Sequence, residues 1–179
     1  MSVNVSGRQL ETEGLVADVL GAITDSRIDP TALLVEVTET ALMHDAGSTL
    51  SRLMLLKGLG VRIAIDDFGT GYSSLAYLRQ FPIDILKIDR MFVSGIADSR
   101  ESAALVHTLV QLGKVLGIET IAEGVETDDQ RTRLENENVD TGQGFLFARP
   151  LAVADLDQLL LDSSGKPEWL SAALHGDEI

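Results

Sequence analysis

Apolar positions along the chain recur in two alternating rhythms. Short runs rich in β-branched residues fall at 2–5, 33–39, 62–66, 85–89, 119–123 and 144–147, and such runs read as strands. Longer stretches between them repeat every three or four residues, the period of a helix buried on one face. Leu15, Val16, Val19, Leu20 and Ile23 form one such stripe. Leu50, Leu53, Met54 and Leu56 form another, and Leu105, Leu109, Leu112 and Leu116 a third within 103–116. Gly58, Gly60 and Gly117 stand where these helices should stop before the next strand. Thr127-Asp128-Asp129 is a cap signal for a helix to about residue 136, and 153–161 reads as a last helix. Strand and helix alternating at this spacing predict βαβ units and a parallel sheet, an α/β domain of six strands and about six helices. Residues 1–162 form the domain, and 163–179, opening on Ser163-Ser164-Gly165-Lys166-Pro167, read as linker and tail.

Composition narrows the chemistry. The 179 residues suffice for one domain with a real core. Lys and Arg number 14 against 28 Asp and Glu, a net charge of −14. Such a surface repels phosphate polymers and anionic lipid, which argues against DNA, RNA or membrane partners. An anionic ligand can still bind where cations lie between it and the carboxylates. The absence of cysteine excludes disulfides, thiol catalysis and zinc–thiolate sites, and it fits a reducing compartment. His44, His107 and His175 are far apart, which disfavours a histidine-rich metal site. No apolar run approaches the ~20 residues of a membrane span, and the first residues lack the pattern of a signal peptide. A cytoplasmic location is the expectation.

The acids are concentrated at the ends of the predicted strands. Glu36 and Glu39 close the second, Asp66 and Asp67 the third, Lys87 and Asp89 the fourth, and Glu123 the fifth, with Glu126 just beyond. A single acid at a strand end is usually a helix cap or a solvated loop residue. Four consecutive strands ending in acids are harder to explain that way. In parallel α/β folds these ends form one rim, where active sites are built. Carboxylates gathered there repel one another, and a divalent cation relieves the repulsion. An oxygen-rich site without Cys or His suits Mg²⁺ or Mn²⁺. Asp66 and Asp67 would point to opposite faces of a regular strand, so both reach a cation only if the chain bends; Gly69 and Gly71 would permit that. Gly69-Thr70-Gly71 alone is a weak phosphate-loop signal and more often a plain turn. Lys87 either orients a water, neutralises a phosphoryl oxygen, or snorkels at a strand end. The residues thus point to metal-dependent hydrolysis of a phosphoester, without naming a substrate.

Six segments, in order, resemble the EAL family, bacterial phosphodiesterases that open cyclic di-GMP to a linear dinucleotide. They are Val3-Asn4-Val5-Ser6, Val35-Glu36-Val37-Thr38-Glu39-Thr40, Ile65 to Ser74, Leu86-Lys87-Ile88-Asp89, Ala122 to Thr127, and Gln143 to Pro150. The resemblance implies that Asn4, Glu36 and Asp66 are ligands of a first metal ion. It implies that Asp66 bridges to a second ion, which Asp67 helps to hold. Glu123 is implied as the general base or the acid holding the attacking water, and Lys87 as that water's partner. Glu39 is implied as the anchor of the Asp67–Ser74 loop. Gln143 and Glu126 match positions near the substrate.

The family fold is a (β/α)₈ barrel with one strand reversed. The resemblance therefore implies an incomplete TIM-type barrel with about six of eight strands, beginning at the family's third. The Glu-Ala-Leu signature is absent from the sequence, and in the family its glutamate is a first-metal ligand, so weaker metal binding is implied. Open strand edges should be covered by a second copy or a partner chain. Two functions compete: an impaired cyclic di-GMP phosphodiesterase domain, or an inactive module that binds the nucleotide or a protein.

Overall fold

The computed structural model describes residues 1–69 and 78–156. Its six strands are β1 (Ser2–Asn4), β2 (Leu34–Thr38), β3 (Arg62–Phe68), β4 (Ile85–Ile88), β5 (Glu119–Glu123) and β6 (Thr141–Gln143). They form one sheet in the order 1-2-3-4-5-6, and every neighbouring pair is parallel. Sequential order with parallel pairing is how a barrel wall is built, and the six strands with their helices make a half-barrel of the TIM type. Within the sheet β1 and β6 are the edge strands.

The helices return the chain between strands. They are α1 (Gly7–Leu10), α2 (Leu15–Ser26), α3 (Glu39–His44), α4 (Ala46–Gly58), α5 (Arg90–Ser94), α6 (Arg100–Leu116) and α7 (Asp128–Glu137). The long ones follow the apolar stripes of the sequence. Their ends follow local chemistry: Gly117 takes the left-handed conformation (φ +69°) and closes α6. Thr127 and Gln130 form a reciprocal capping box that opens α7. The one-turn helices α1 and α5 are too short to leave a periodic stripe. Residues 153–156 are helical, in line with the start of the predicted last helix; the rest of it, and the proposed linker and tail, lie outside the described residues.

Alternation along each strand sorts the side chains into two populations. Val35, Val37, Ile63, Ile65, Leu86, Ile88 and Ala122 share a core with Leu53 and Leu56 of α4 and Val106 and Val110 of α6. The register places Asn4 beside Glu36, Thr38 beside Asp66, Lys87 beside Ile121, and Glu123 beside Gln143. These residues are out of phase with the core set, so they line the face turned away from the helices.

Three sequence expectations need correction. The sixth strand lies at Thr141–Gln143, and 144–147 is a turn. At Gly144 the backbone runs against that of Val125, where a Cβ would sit 2.2 Å from the carbonyl oxygen. Phe147 N–H donates back to the Gly144 carbonyl at 3.1 Å, closing the turn. The apolar run marks anchoring, since Leu146 and Phe147 pack on the core, whereas the true strand is polar and gives no apolar signal. Second, Glu39 opens α3 behind the Thr38 cap and does not close β2. Third, Asp89 lies beyond β4 and caps α5, its Oδ1 accepting the Met91 N–H at 2.7 Å.

Candidate active site at the C-terminal rim

The site centres on Lys87, which is 3% exposed. Its Nζ lies 2.7 Å from Glu36 Oε2, 2.9 Å from Asp66 Oδ1 and 2.6 Å from Glu123 Oε1. Strands β2, β3, β4 and β5 each contribute one of these groups, so the sheet itself sets the spacing. Burial alone would lower the lysine pKa; the hydrogen bonds that Lys87 donates to Glu123, Glu36 and Asp66 outweigh it and raise it well above 10.5. Gln143 on β6 donates from Nε2 to Glu123 Oε1 at 2.7 Å.

The bend expected beside Asp66 and Asp67 exists, and it falls at Asp67 itself. Asp67 adopts φ +54°, a left-handed conformation unusual for a residue other than glycine. The β3–β4 register shifts between Ile65 and Phe68. Both of those side chains are buried in the core although they are three positions apart, so the strand carries an extra residue, as in a bulge. The result is that oxygens of Asp66, Asp67 and Glu123 lie within 4.8 Å of one another. Strained backbone of this kind is concentrated at functional sites.

The electrostatics record the crowding. Asp67 has a raised pKa because of burial first, then the neighbouring Asp66 charge and a hydrogen bond with Asp89, against a weaker pull from Lys87. Burial raises the Glu123 pKa above 4.5, and the hydrogen bond and charge of Lys87 offset this only in part. One ammonium thus faces Glu36, Asp66, Asp67 and Glu123. The donor set is all oxygen, the cluster is tight, and negative charge remains in excess. These residues fit a hard divalent cation.

The other sequence candidates are placed as follows. Asn4 ends β1 beside Glu36 in register and is exposed. Glu39 is buried, and its Oε2 accepts the Gly69 N–H at 3.0 Å. That fastens the start of the Asp67–Ser74 loop; residues 70–74 lie outside the described residues. Glu126 points to Arg90, with its Oε1 2.9 Å from the guanidinium. The contact of Asp89 with Asp67 escaped the sequence reading. Its position two residues after Lys87 was visible, but its partner was not.

A parallel half-barrel with an acidic, oxygen-donor rim defines the class: a TIM-type α/β domain with a carboxylate cluster at the C-terminal ends of its strands. Comparison with known proteins then specifies the family. Residues 1–150 match the EAL domain family, and the chain belongs to it. The bifunctional diguanylate cyclase/cyclic di-GMP phosphodiesterase MucR of Pseudomonas aeruginosa is 43% identical over 156 residues, covering 87% of this chain and 23% of MucR. The solved PaMucR phosphodiesterase in complex with c-di-GMP superposes with a TM-score of 0.83 at 43% identity, over 87% of this chain and 63% of that one. Klebsiella pneumoniae BlrP1, solved with manganese and cyclic di-GMP, superposes with a TM-score of 0.78 at 34% identity, over 83% of this chain and 38% of that one. The chain thus spans about a quarter of the length of curated MucR.

Proposed function

We propose that this domain hydrolyses cyclic di-GMP to the linear dinucleotide, in the cytoplasm, with Mg²⁺ or Mn²⁺ as cofactor. The observation that carries the reading is the meeting of Asp66 and Asp67, at the bend of β3, with Glu123 at the end of β5, all within 4.8 Å. Asn4, Glu36, Asp66 and Asp67 would hold the cations. When bound there, divalent cations supply Lewis-acid stabilisation of phosphoryl oxygens and make water easier to deprotonate.

The chain's own residues supply the rest. Glu123 takes the proton of the attacking water as the water oxygen bonds to phosphorus. One ester P–O bond breaks, and the departing sugar oxygen takes up a proton from solvent while Glu123 later returns its proton to solvent. Burial of Glu123 makes it a stronger base than a solvated glutamate. Lys87 keeps its charge and offsets the negative charge that builds on the phosphoryl oxygens. Gln143 fixes the Glu123 carboxylate from the side, and Glu126 would meet the substrate's periphery. Because six strands enclose only part of the rim, turnover below that of a closed barrel is expected.

The test is turnover of cyclic di-GMP by the full chain with Mg²⁺ or Mn²⁺, beside Asp66→Ala. Metal-dependent linear product that disappears in the variant supports the enzyme. A folded chain that binds the nucleotide and forms no product supports the inactive binding module instead.

We also infer that a second copy, or a partner chain, covers the sheet edges left open among the described residues. A cavity of about 510 Å³ lined by Val125, Leu134, Val139 and Phe147 borders the β6 edge, and unpaired edges invite added strands. A dilute monomer by light scattering would overturn this.

A further inference from the structure

Arg90 takes no part in the chemistry above, yet it packs against the segment that directly follows Glu123. It opens α5 directly after the Asp89 cap. Its stem lies across Gly124, which sits in left-handed backbone at φ +67°. A Cβ added at Gly124 would come within 2.5 Å of Arg90 Cγ, 2.8 Å of its Cβ and 2.9 Å of its Cδ. Only a residue without a side chain lets the stem approach so closely. At the far end of the same turn, the guanidinium lies 2.9 Å from Glu126 Oε1. The Glu126 N–H is itself held by Gln130 Oε1 at 2.7 Å.

One side chain therefore covers the start of the turn with methylenes and ties its end with charge. Glu123 precedes Gly124 directly, and its Oε1 receives Lys87 at 2.6 Å and Gln143 at 2.7 Å. We propose that Arg90 is a positioning residue for Glu123, clamping the 124–126 turn so that the Glu123 carboxylate stays between Lys87 and Gln143. The proposal rests on the reading of Glu123 as the proton acceptor. Arg90 and Glu126 side chains are 63% and 41% exposed, and an ion pair so open contributes little stability by itself. Its consequence lies in placement, because small misplacements of a catalytic group cost far more in rate than in folding.

The test compares Arg90→Ala, Arg90→Lys and Glu126→Gln in the full chain. The first readout needs neither metal nor turnover: the side-chain amide resonance of Gln143 in ¹⁵N-labelled, metal-free protein, which reports its bond to Glu123. Arg90→Ala should move that resonance toward the position of a solvated glutamine, and Arg90→Lys, which keeps the stem, should largely restore it. In turnover, Arg90→Ala should lower kcat about tenfold with KM little changed, while the melting temperature stays near that of the wild type. If Arg90→Ala does not fold, Glu126→Gln carries the same measurement. An unmoved Gln143 resonance overturns the proposal whatever the turnover. A wild-type chain without turnover overturns the phosphodiesterase reading, and the resonance alone then decides this inference.

Discussion

Two lysines meet carboxylates at opposite ends of the same sheet, and the contrast separates structure from chemistry. Below the strands, Lys57 Nζ lies 2.7 and 2.8 Å from the two oxygens of Asp84. Asp84 also accepts the Ile63 N–H at 2.8 Å, locking the entry to β4 against β3. One cation meets one anion, and each is partly exposed. At the C-terminal rim, buried Lys87 meets Glu36, Asp66 and Glu123 at once, with Asp67 close by. The lower pair balances its charge and ties backbone. The upper cluster leaves charge unbalanced in a low-dielectric place, which a fold has reason to keep only if something positive joins it.

The comparison breaks most readily on Lys87. Lys87→Met should lower the stability of chelator-treated protein by about 3 kcal/mol, because it strands buried carboxylates. Lys57→Met should lose about 1 kcal/mol or less, since its pair is solvated. Urea unfolding measures both, and equal losses would erase the distinction. Asp84→Ala removes the side-chain acceptor of the Ile63 N–H along with the pair, and should cost about 1–3 kcal/mol while leaving any turnover of cyclic di-GMP intact. A loss of turnover there would tie the lower pair to the chemistry.

A pH series sharpens the same contrast. Folding raises the Glu123 pKa above 4.5, chiefly by burial. The metal-free folded chain therefore holds that proton more tightly than the unfolded chain does. This contribution is complete below the ordinary value and is lost as pH rises through the folded one. From about pH 4 to about pH 7, the stability difference should shift in favour of Glu123→Gln over the wild type. Lys87, raised above 10.5, stays charged throughout and adds no slope. A flat difference would mean that Glu123 ionises as freely folded as unfolded. The smallest effect belongs to the lower exposed pair, Arg62 and Glu119 at 2.7 Å: Glu119→Gln should change stability by less than about 1 kcal/mol in the same unfolding assay.

Much of the fold was legible in the chain because it rests on local rules. The stripes of α2, α4 and α6, the stops at Gly58 and Gly117, and the Thr127 cap are written in residues a few positions apart. Five strands stood out because β-branched residues are concentrated in them. The sixth did not, since Thr141-Gly142-Gln143 carries no apolar alternation and the neighbouring Phe145-Leu146-Phe147 imitates it. The acids at the strand ends, and the resemblance of their segments to the EAL family, place Glu36, Asp66, Lys87 and Glu123 in one site from the sequence alone.

What the sequence by itself determined, then, was the inventory: parallel strands with acids at their ends, no thiol, few imidazoles, and so an oxygen-donor site. Tertiary structure alone decided who meets whom. The bulge that turns Asp67 toward Asp66 rests on how β3 registers against β4. The convergence of Glu36, Asp66 and Glu123 on one ammonium, the Gln143 bond to Glu123 and the Arg90 clamp over Gly124 join residues from different strands or loops. Their encounter depends on register and sheet curvature. Those are set by packing across the whole half-barrel, and no short stretch of sequence records them.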